Sequence, residues 1–259
     1  MKQRYASSLY LRRDMRIALV GNGNLAWHLN AALREINSRI DLHVVRELPV
    51  SSPWKTTTQL SDINDSYHLV LLAVPDSQIA EVAAQLPEKI IAVHFSGGTS
   101  LLSLPQKNRA VCWPCQTLKK GTSMKYNNIP LLYEFSNTET ETIVKAFLEP
   151  AIGKWISANG EQRQLAHVSA VFSNNFTNYL QYISQSLLKE AQLPTDLFYT
   201  MLKAHVELLE TKSPETIQTG PAQRGDQGTI EAQKQLLNNH VDWKEIYTLL
   251  SKNILDKYQ

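Results

Sequence analysis

The stretch Ile17-Ala18-Leu19-Val20-Gly21-Asn22-Gly23-Asn24-Leu25-Ala26 constrains this chain more than any other. Ile17 to Val20 read as a strand covered on both faces, because a half-exposed strand would alternate apolar with polar residues. Leu25, Leu29 and Leu33, with Ala26, Ala31 and Ala32, then recur at helical spacing, so the glycines form a tight turn into a helix packed on the sheet. The junction reads Gly-x-Gly-x-x-Ala. Gly21 takes the turn, Gly23 lets backbone approach a pyrophosphate, and Ala26 is small enough for close helix–strand contact. The helix N-terminus adds free N–H groups and the positive end of a dipole. The pattern predicts a dinucleotide site at Gly21, Asn22, Gly23, Asn24 and Leu25; the bland alternative is a plain glycine turn.

At 259 residues, 43% of them apolar, the chain suffices for one large domain or two ordinary ones. Its 26 basic and 24 acidic residues leave a formal charge of +2 with no basic stripe, which argues against a nucleic-acid partner. No apolar run approaches the ~20 residues of a membrane span. Residues 1–14 carry Lys2, Arg4, Arg12 and Arg13 without an apolar segment, so they read as an extension rather than a signal peptide, with Met15 as an alternative start. A cytoplasmic location is the default expectation. Cys112-Trp-Pro-Cys115 invites a redox reading, but redox pairs open a helix, and Gln116 to Gly121 read as a loop. Two thiols without nearby histidines also make no zinc site, so no metal is expected.

Further strands are expected at Ile40–Val45, Leu69–Val74, Ile90–Phe95, Ala110–Trp113, Ile129–Phe135 and Lys154–Ser157, with helices at Ile79–Leu86 and Thr138–Leu148 and a polar loop, with room for a short helix, at Thr56–Asp65. The second strand ends in Arg46, followed by Glu47. A guanidinium there suits a 2′-phosphate, which favours NADP over NAD; the alternative is a solvated Arg46 with Glu47 on the ribose. The Val74-Pro75-Asp76 turn and the loop from His94 through Ser96 to Ser100 should open onto the same crevice, at the carboxyl ends of central strands. Beyond residue 158 no strand pattern appears, and helices are expected at Gln162–Glu190, Thr195–Glu210, Thr229–Asn239 and Trp243–Lys257, broken by Pro194, Pro214 and Pro221. The expected fold is α/β: an N-terminal domain over 15–158 with a mainly parallel sheet, then an all-helical domain over 159–259.

Two features of the helical half stand out. His167, Asn174, Asn178 and Gln181 fall on one stripe of an unbroken helix, with Asn175 adjacent, and no Lys, Glu or Asp lies between Gln164 and Gln185. Uncharged amides and a histidine suit a cleft wall or an interface better than a solvated face. The loop Thr219–Thr229 carries three glycines, Arg224 and Asp226; it is either a spacer with an internal Arg224–Asp226 pair or a structured loop offering Arg224 to an anion.

The segments VGNGNLAWHL, LLAVPDSQI, HFSGGTS, WPCQTL, AHVSAVFSNNFTNYL and TGPAQRGDQGTI together resemble a bacterial family of candidate NADP oxidoreductases, a Rossmann-like domain fused to a helical domain of unassigned function. That family is distantly similar to pyrroline-5-carboxylate reductase, 6-phosphogluconate dehydrogenase and ketopantoate reductase. The resemblance implies a small substrate bound between two domains, and a homodimer through the helical domain. It places Gly21, Gly23 and Ala26 in the cofactor fingerprint, Val74, Pro75 and Asp76 beside the nicotinamide, and Arg46 at the 2′-phosphate. The dehydrogenase relatives use Lys-x-x-x-Asn on the first helix of the second domain; with Asn175 at that Asn, the Lys position holds Val171. His167 is the nearest titratable substitute. The expected reaction is hydride transfer to or from a small carbonyl, imine or alcohol, with His94, Ser96, His167, Asn174 and Asn175 around it and Asn178 and Arg224 on the substrate. The missing Lys favours the alternative, an NADP-binding sensor or scaffold without turnover.

Overall fold

The computed structural model describes residues 15–34, 40–43, 56–57, 59–122 and 126–259, with backbone alone at 34, 40–43 and 56–57. Among them, strands β1 (Ile17–Val20), β2 (Ile40–His43), β3 (Thr56–Thr57), β4 (Leu69–Leu72), β5 (Ile91–His94), β6 (Arg109–Pro114), β7 (Leu131–Phe135) and β8 (Trp155–Ser157) form one sheet. Its order is β3-β2-β1-β4-β5-β6-β7-β8. Every pairing is parallel except β6 with β7. The order reverses at β1, which lies between β2 and β4, so the carboxyl ends of β1 and β4 flank the crevice where such sheets bind ligands.

All four residues of β1 and of β4 are buried. Ile17 and Leu19 face one core with Ala26, Leu29 and Leu33 of helix α1 (Asn24–Arg34) and Val144, Phe147 and Leu148 of α3 (Thr138–Leu148). Ala18 and Val20 face the opposite core with Ile79, Val82 and Ala83 of α2 (Ile79–Ala84). Successive side chains point to opposite faces and both faces are covered, which is why the run shows no alternation. The expected polar loop at 56–65 instead starts with edge strand β3, parallel to β2. Residues 44 and 45 of the expected second strand lie outside the described residues.

The chain divides into two compact units between Phe172 and Ser173. α4 (Gly160–Ala170) ends the first unit's regular structure, opened by a capping box in which Asn159 and Gln162 bond each other's backbone N–H. The unbroken helix expected over Gln162–Glu190 is corrected: a π-helical turn, Val171–Phe176, separates α4 from α5 (Thr177–Glu190). The 100° stepping behind the polar stripe does not hold through a π turn, which carries more residues per turn than an α-helix. The second unit continues with α6 (Tyr199–Leu209), the short α7 (Pro214–Ile217), α8 (Gln227–Leu236) and α9 (Val241–Tyr258). α6 starts four residues later than Thr195 because 195–198 form turns, and α7 was not anticipated.

Candidate functional site

The β1–α1 junction shows why its two glycines differ. Gly21 has φ +131°, and a Cβ there would sit 2.2 Å from the Ala73 carbonyl oxygen. Ala73 N in turn donates to Val20 O at 2.8 Å, locking the end of β1 to the end of β4. Gly21 is thus required by the tight turn itself. A Cβ on Gly23 would meet nothing within 4 Å, so its face is open. The first turn of α1 contains no acidic residue, and its leading N–H groups have no intrahelical partner. Gly23 and Asn24 are exposed, with Asn22 and Leu25 half-buried. Geometry and field both suit this turn to an anion.

The next two turns meet beside it. Pro75 and Asp76 are exposed past β4, with Val74 half-buried. The Ser96 hydroxyl donates to Asp76 Oδ2 at 2.6 Å and accepts from the N–H groups of Gly98 (3.2 Å) and Thr99 (2.9 Å). One buried serine therefore ties the β4 turn to the β5 loop. His94 ends β5 just before this loop. It is fully buried, its Nδ1 accepts from Ser96 N at 3.2 Å, and its Nε2 meets Ser100 O at 3.3 Å. Burial pushes its pKa from 6.5 down to about 4, so near neutrality the ring is an uncharged spacer that shapes the loop. The Ser96 hydroxyl is thus engaged three times.

α4 covers this loop. Arg163, in the helix's first turn, is completely buried: Nη1 bonds Glu134 Oε2 at 2.6 Å and Nη2 donates to Thr99 O at 2.9 Å. One turn on, His167 lies edge-on to Trp113 with ring centres 5.4 Å apart. A Cβ on Gly97 would come within 2.9 Å of both the Trp113 and His167 rings. His167 thus joins Ser96, Gly97 and Asp76 within the first unit, partly open to solvent. Arg163 was missed from the sequence. The available signal was the Asn159-x-x-Gln162 box, which puts Arg163 in the first turn of a helix, where the dipole disfavours a cation unless a partner holds it.

Asn174, Asn175 and Asn178 belong to the second unit and are exposed. So is Arg224, in a loop that is structured: Gly220 and Gly225 have positive φ, Asp226 N donates to Pro221 O at 2.9 Å, and the Asp226 carboxylate caps α8 through Thr229 N at 3.0 Å. Thr229's bonds hold the Asp226 carboxyl below its usual range. Among the described residues Arg224 makes no side-chain hydrogen bond or close ion pair, and its charge helps hold the Asp226 carboxyl down. Arg46 and Glu47 lie outside the described residues. Cys112 and Cys115 are free thiols, both pushed upward in pKa by burial, unlike the thiolate of a redox pair.

Residues 129–254 match the family model described as a domain of unknown function, DUF2520. No curated protein sequence matches the chain. Among solved structures, a candidate NADP oxidoreductase of Bacteroides fragilis is 29% identical with TM-score 0.83, covering 94% of this chain and 98% of that one. A Thermotoga maritima protein is 21% identical with TM-score 0.70, over 93% and 97% of the two chains. The Plasmodium falciparum pyrroline carboxylate reductase, solved with NADP bound, shares the fold at 10% identity and TM-score 0.60, over 95% and 97%. The matched segment takes in the last two strands of the Rossmann-like sheet, β7 and β8, and most of the helical half.

Proposed function

We propose that this protein is an NADP-dependent oxidoreductase moving a hydride between the nicotinamide and a small carbonyl, imine or alcohol. The observation that carries the reading is the strand-order reversal at β1, with the open Gly23 face and an acid-free helix N-terminus at that point. The Bacteroides likeness supports NADP and oxidoreductase chemistry. These residues fit a dinucleotide: the backbone from Gly21 to Leu25 would hold the pyrophosphate, Val74, Pro75 and Asp76 would flank the nicotinamide, and Arg46 would take the 2′-phosphate. The bound cofactor supplies the hydride. His167 moves the proton, the one partly exposed imidazole beside the Ser96–Thr99 loop, while Ser96 and His94 fix that loop. In the second unit, Asn174, Asn175 and Asn178 offer uncharged donors and acceptors, and Arg224 suits an acidic group on the substrate.

The second unit also favours a homodimer. Its buried apolar residues are Leu188, Ala222, Ile230 and Leu237, whereas Phe176, Tyr179, Phe198, Tyr199, Met201 and Val206 are exposed. So much apolar surface on a unit this size fits a second copy of the same chain. Introducing Met201→Asp with Val206→Asp should convert a dimer to a monomer in sedimentation.

The test of the main reading is titration of the purified protein with NADPH and with NADH. Tighter NADPH binding, weakened in Arg46→Ala, supports it; binding of neither overturns it. A sensor that binds without turnover is the second reading, favoured by Val171 where the dehydrogenase relatives place Lys. Tight NADPH binding with no hydride transfer to any keto or imino acid tried would select it.

A further inference from the structure

The segment that leaves β6 runs across the N-terminal end of α1 as a strap. Lys120 N donates to Asn24 Oδ1 at 3.2 Å, and Lys120 Nζ donates to Asn22 Oδ1 at 3.3 Å. Behind them, buried His28 of α1 holds the strap twice, through Lys119 O at 3.0 Å and the Tyr126 hydroxyl at 2.7 Å. A single neutral tautomer satisfies both bonds, Nε2–H donating to the carbonyl and Nδ1 accepting from the phenol. Leu118 and Pro114 line a small apolar hollow together with Leu25 and Leu29. The described strap's position is therefore set by buried contacts, and Lys120 is placed with it.

That placement is electrostatically unfavourable on its own terms. The Lys120 ammonium stands at the positive end of the α1 dipole, where cations are disfavoured. Its side-chain partner is a neutral amide oxygen, and no carboxylate among the described residues pairs with it. The first turn of α1 supplies no acid, and the Gly23 face beside it is open. An anion between the turn and the strap would satisfy the ammonium, the helix N–H groups and the dipole together. We infer that Lys120 closes over the dinucleotide's pyrophosphate from the strap side, a charged contact opposite the backbone N–H groups of the glycine turn. This rests on the dinucleotide reading and adds to it a residue outside the glycine motif.

A pyrophosphate contact is common to NADPH and NADH, whereas a 2′-phosphate contact is not. Full-length wild type, Lys120→Met and Lys120→Arg would be titrated with NADPH, NADH and adenosine 2′-monophosphate, which lacks the pyrophosphate. Lys120→Met should weaken NADPH and NADH alike, each about tenfold, leave adenosine 2′-monophosphate unchanged, and lower the salt dependence of binding by about one ion. Lys120→Arg should recover most of the loss. The Lys120 side chain is exposed, so the variant should fold as wild type does, and an unchanged melting temperature without ligand checks it. A loss confined to NADPH and adenosine 2′-monophosphate would move Lys120 to the 2′-phosphate and overturn the inference. Wild-type binding that Lys120→Met leaves intact overturns it alone, while wild type binding neither dinucleotide overturns the cofactor reading as well.

Discussion

The Arg163–Glu134 pair offers the sharpest test of how the site is held. The guanidinium side chain is 0% exposed and the carboxylate 27%, at 2.6 Å. With charge centres about 4 Å apart and an effective dielectric near 20, the attraction is about 4 kcal/mol, much of it offset by desolvating the cation. Breaking one side is another matter. Glu134→Gln leaves a fully buried cation facing a neutral amide that still accepts a hydrogen bond, which should cost about 3 kcal/mol. Arg163→Met keeps only the apolar stem, lets the partly exposed Glu134 rehydrate, and strips the Thr99 carbonyl of its donor, which should cost about 2 kcal/mol. The double variant has no stranded cation, so the single losses should exceed it by about 2 kcal/mol in sum. Urea unfolding of the four proteins measures this. Either single loss below about 1 kcal/mol, or strict additivity, would refute the argument that this pair pins α4 to the Ser96–Thr99 loop. Hydrogen exchange at the Gly98 and Thr99 amides should rise in Arg163→Met.

Gly21→Ala should lose at least ~3 kcal/mol of stability, since its Cβ meets the Ala73 carbonyl oxygen at 2.2 Å with φ +131°, whereas Gly23→Ala should fold within about 1 kcal/mol of wild type and weaken NADPH binding; equal stability losses by denaturant melts would contradict this. His94 makes stability pH-dependent: between pH 6.5 and about 4 the unfolded chain takes up a proton that the buried native ring refuses. Stability is therefore full above pH 6.5 and falls toward pH 4 by about 1.4 kcal/mol per unit, so wild type should lose about 3 kcal/mol more than His94→Asn across that window. Cys112, fully buried, should react with a thiol reagent only in denaturant, and Cys115→Ser should leave NADPH binding unchanged; rapid modification of both thiols in the native protein would revive the redox reading.

Much of the first unit was legible because its signals are local. A short apolar run with no alternation, bounded by turn residues, reads as a strand covered on both sides, and Ile17–Val20 and Leu69–Leu72 are buried at every position. Asn137 capping Thr140 at 2.9 Å opens a helix whose bounds, Thr138–Leu148, follow from the sequence. The long helix after Asn159 was legible as helical, but its π turn was not, since no residue type in Val171–Phe176 demands one.

Side-chain assignments divide the same way. The sequence by itself determined the parallel α/β pattern, the glycine turn and the helical second half, because each follows from steric rules acting over a few neighbouring residues. Only the tertiary structure decided that His94 faces inward, that Ser96 bridges to Asp76, that Arg163 reaches Glu134 29 residues away, and that Lys120 arrives at a turn 98 residues upstream. Those pairings are set by how the strands order in the sheet and by which groups lose their water there. Neither leaves a mark on residue spacing.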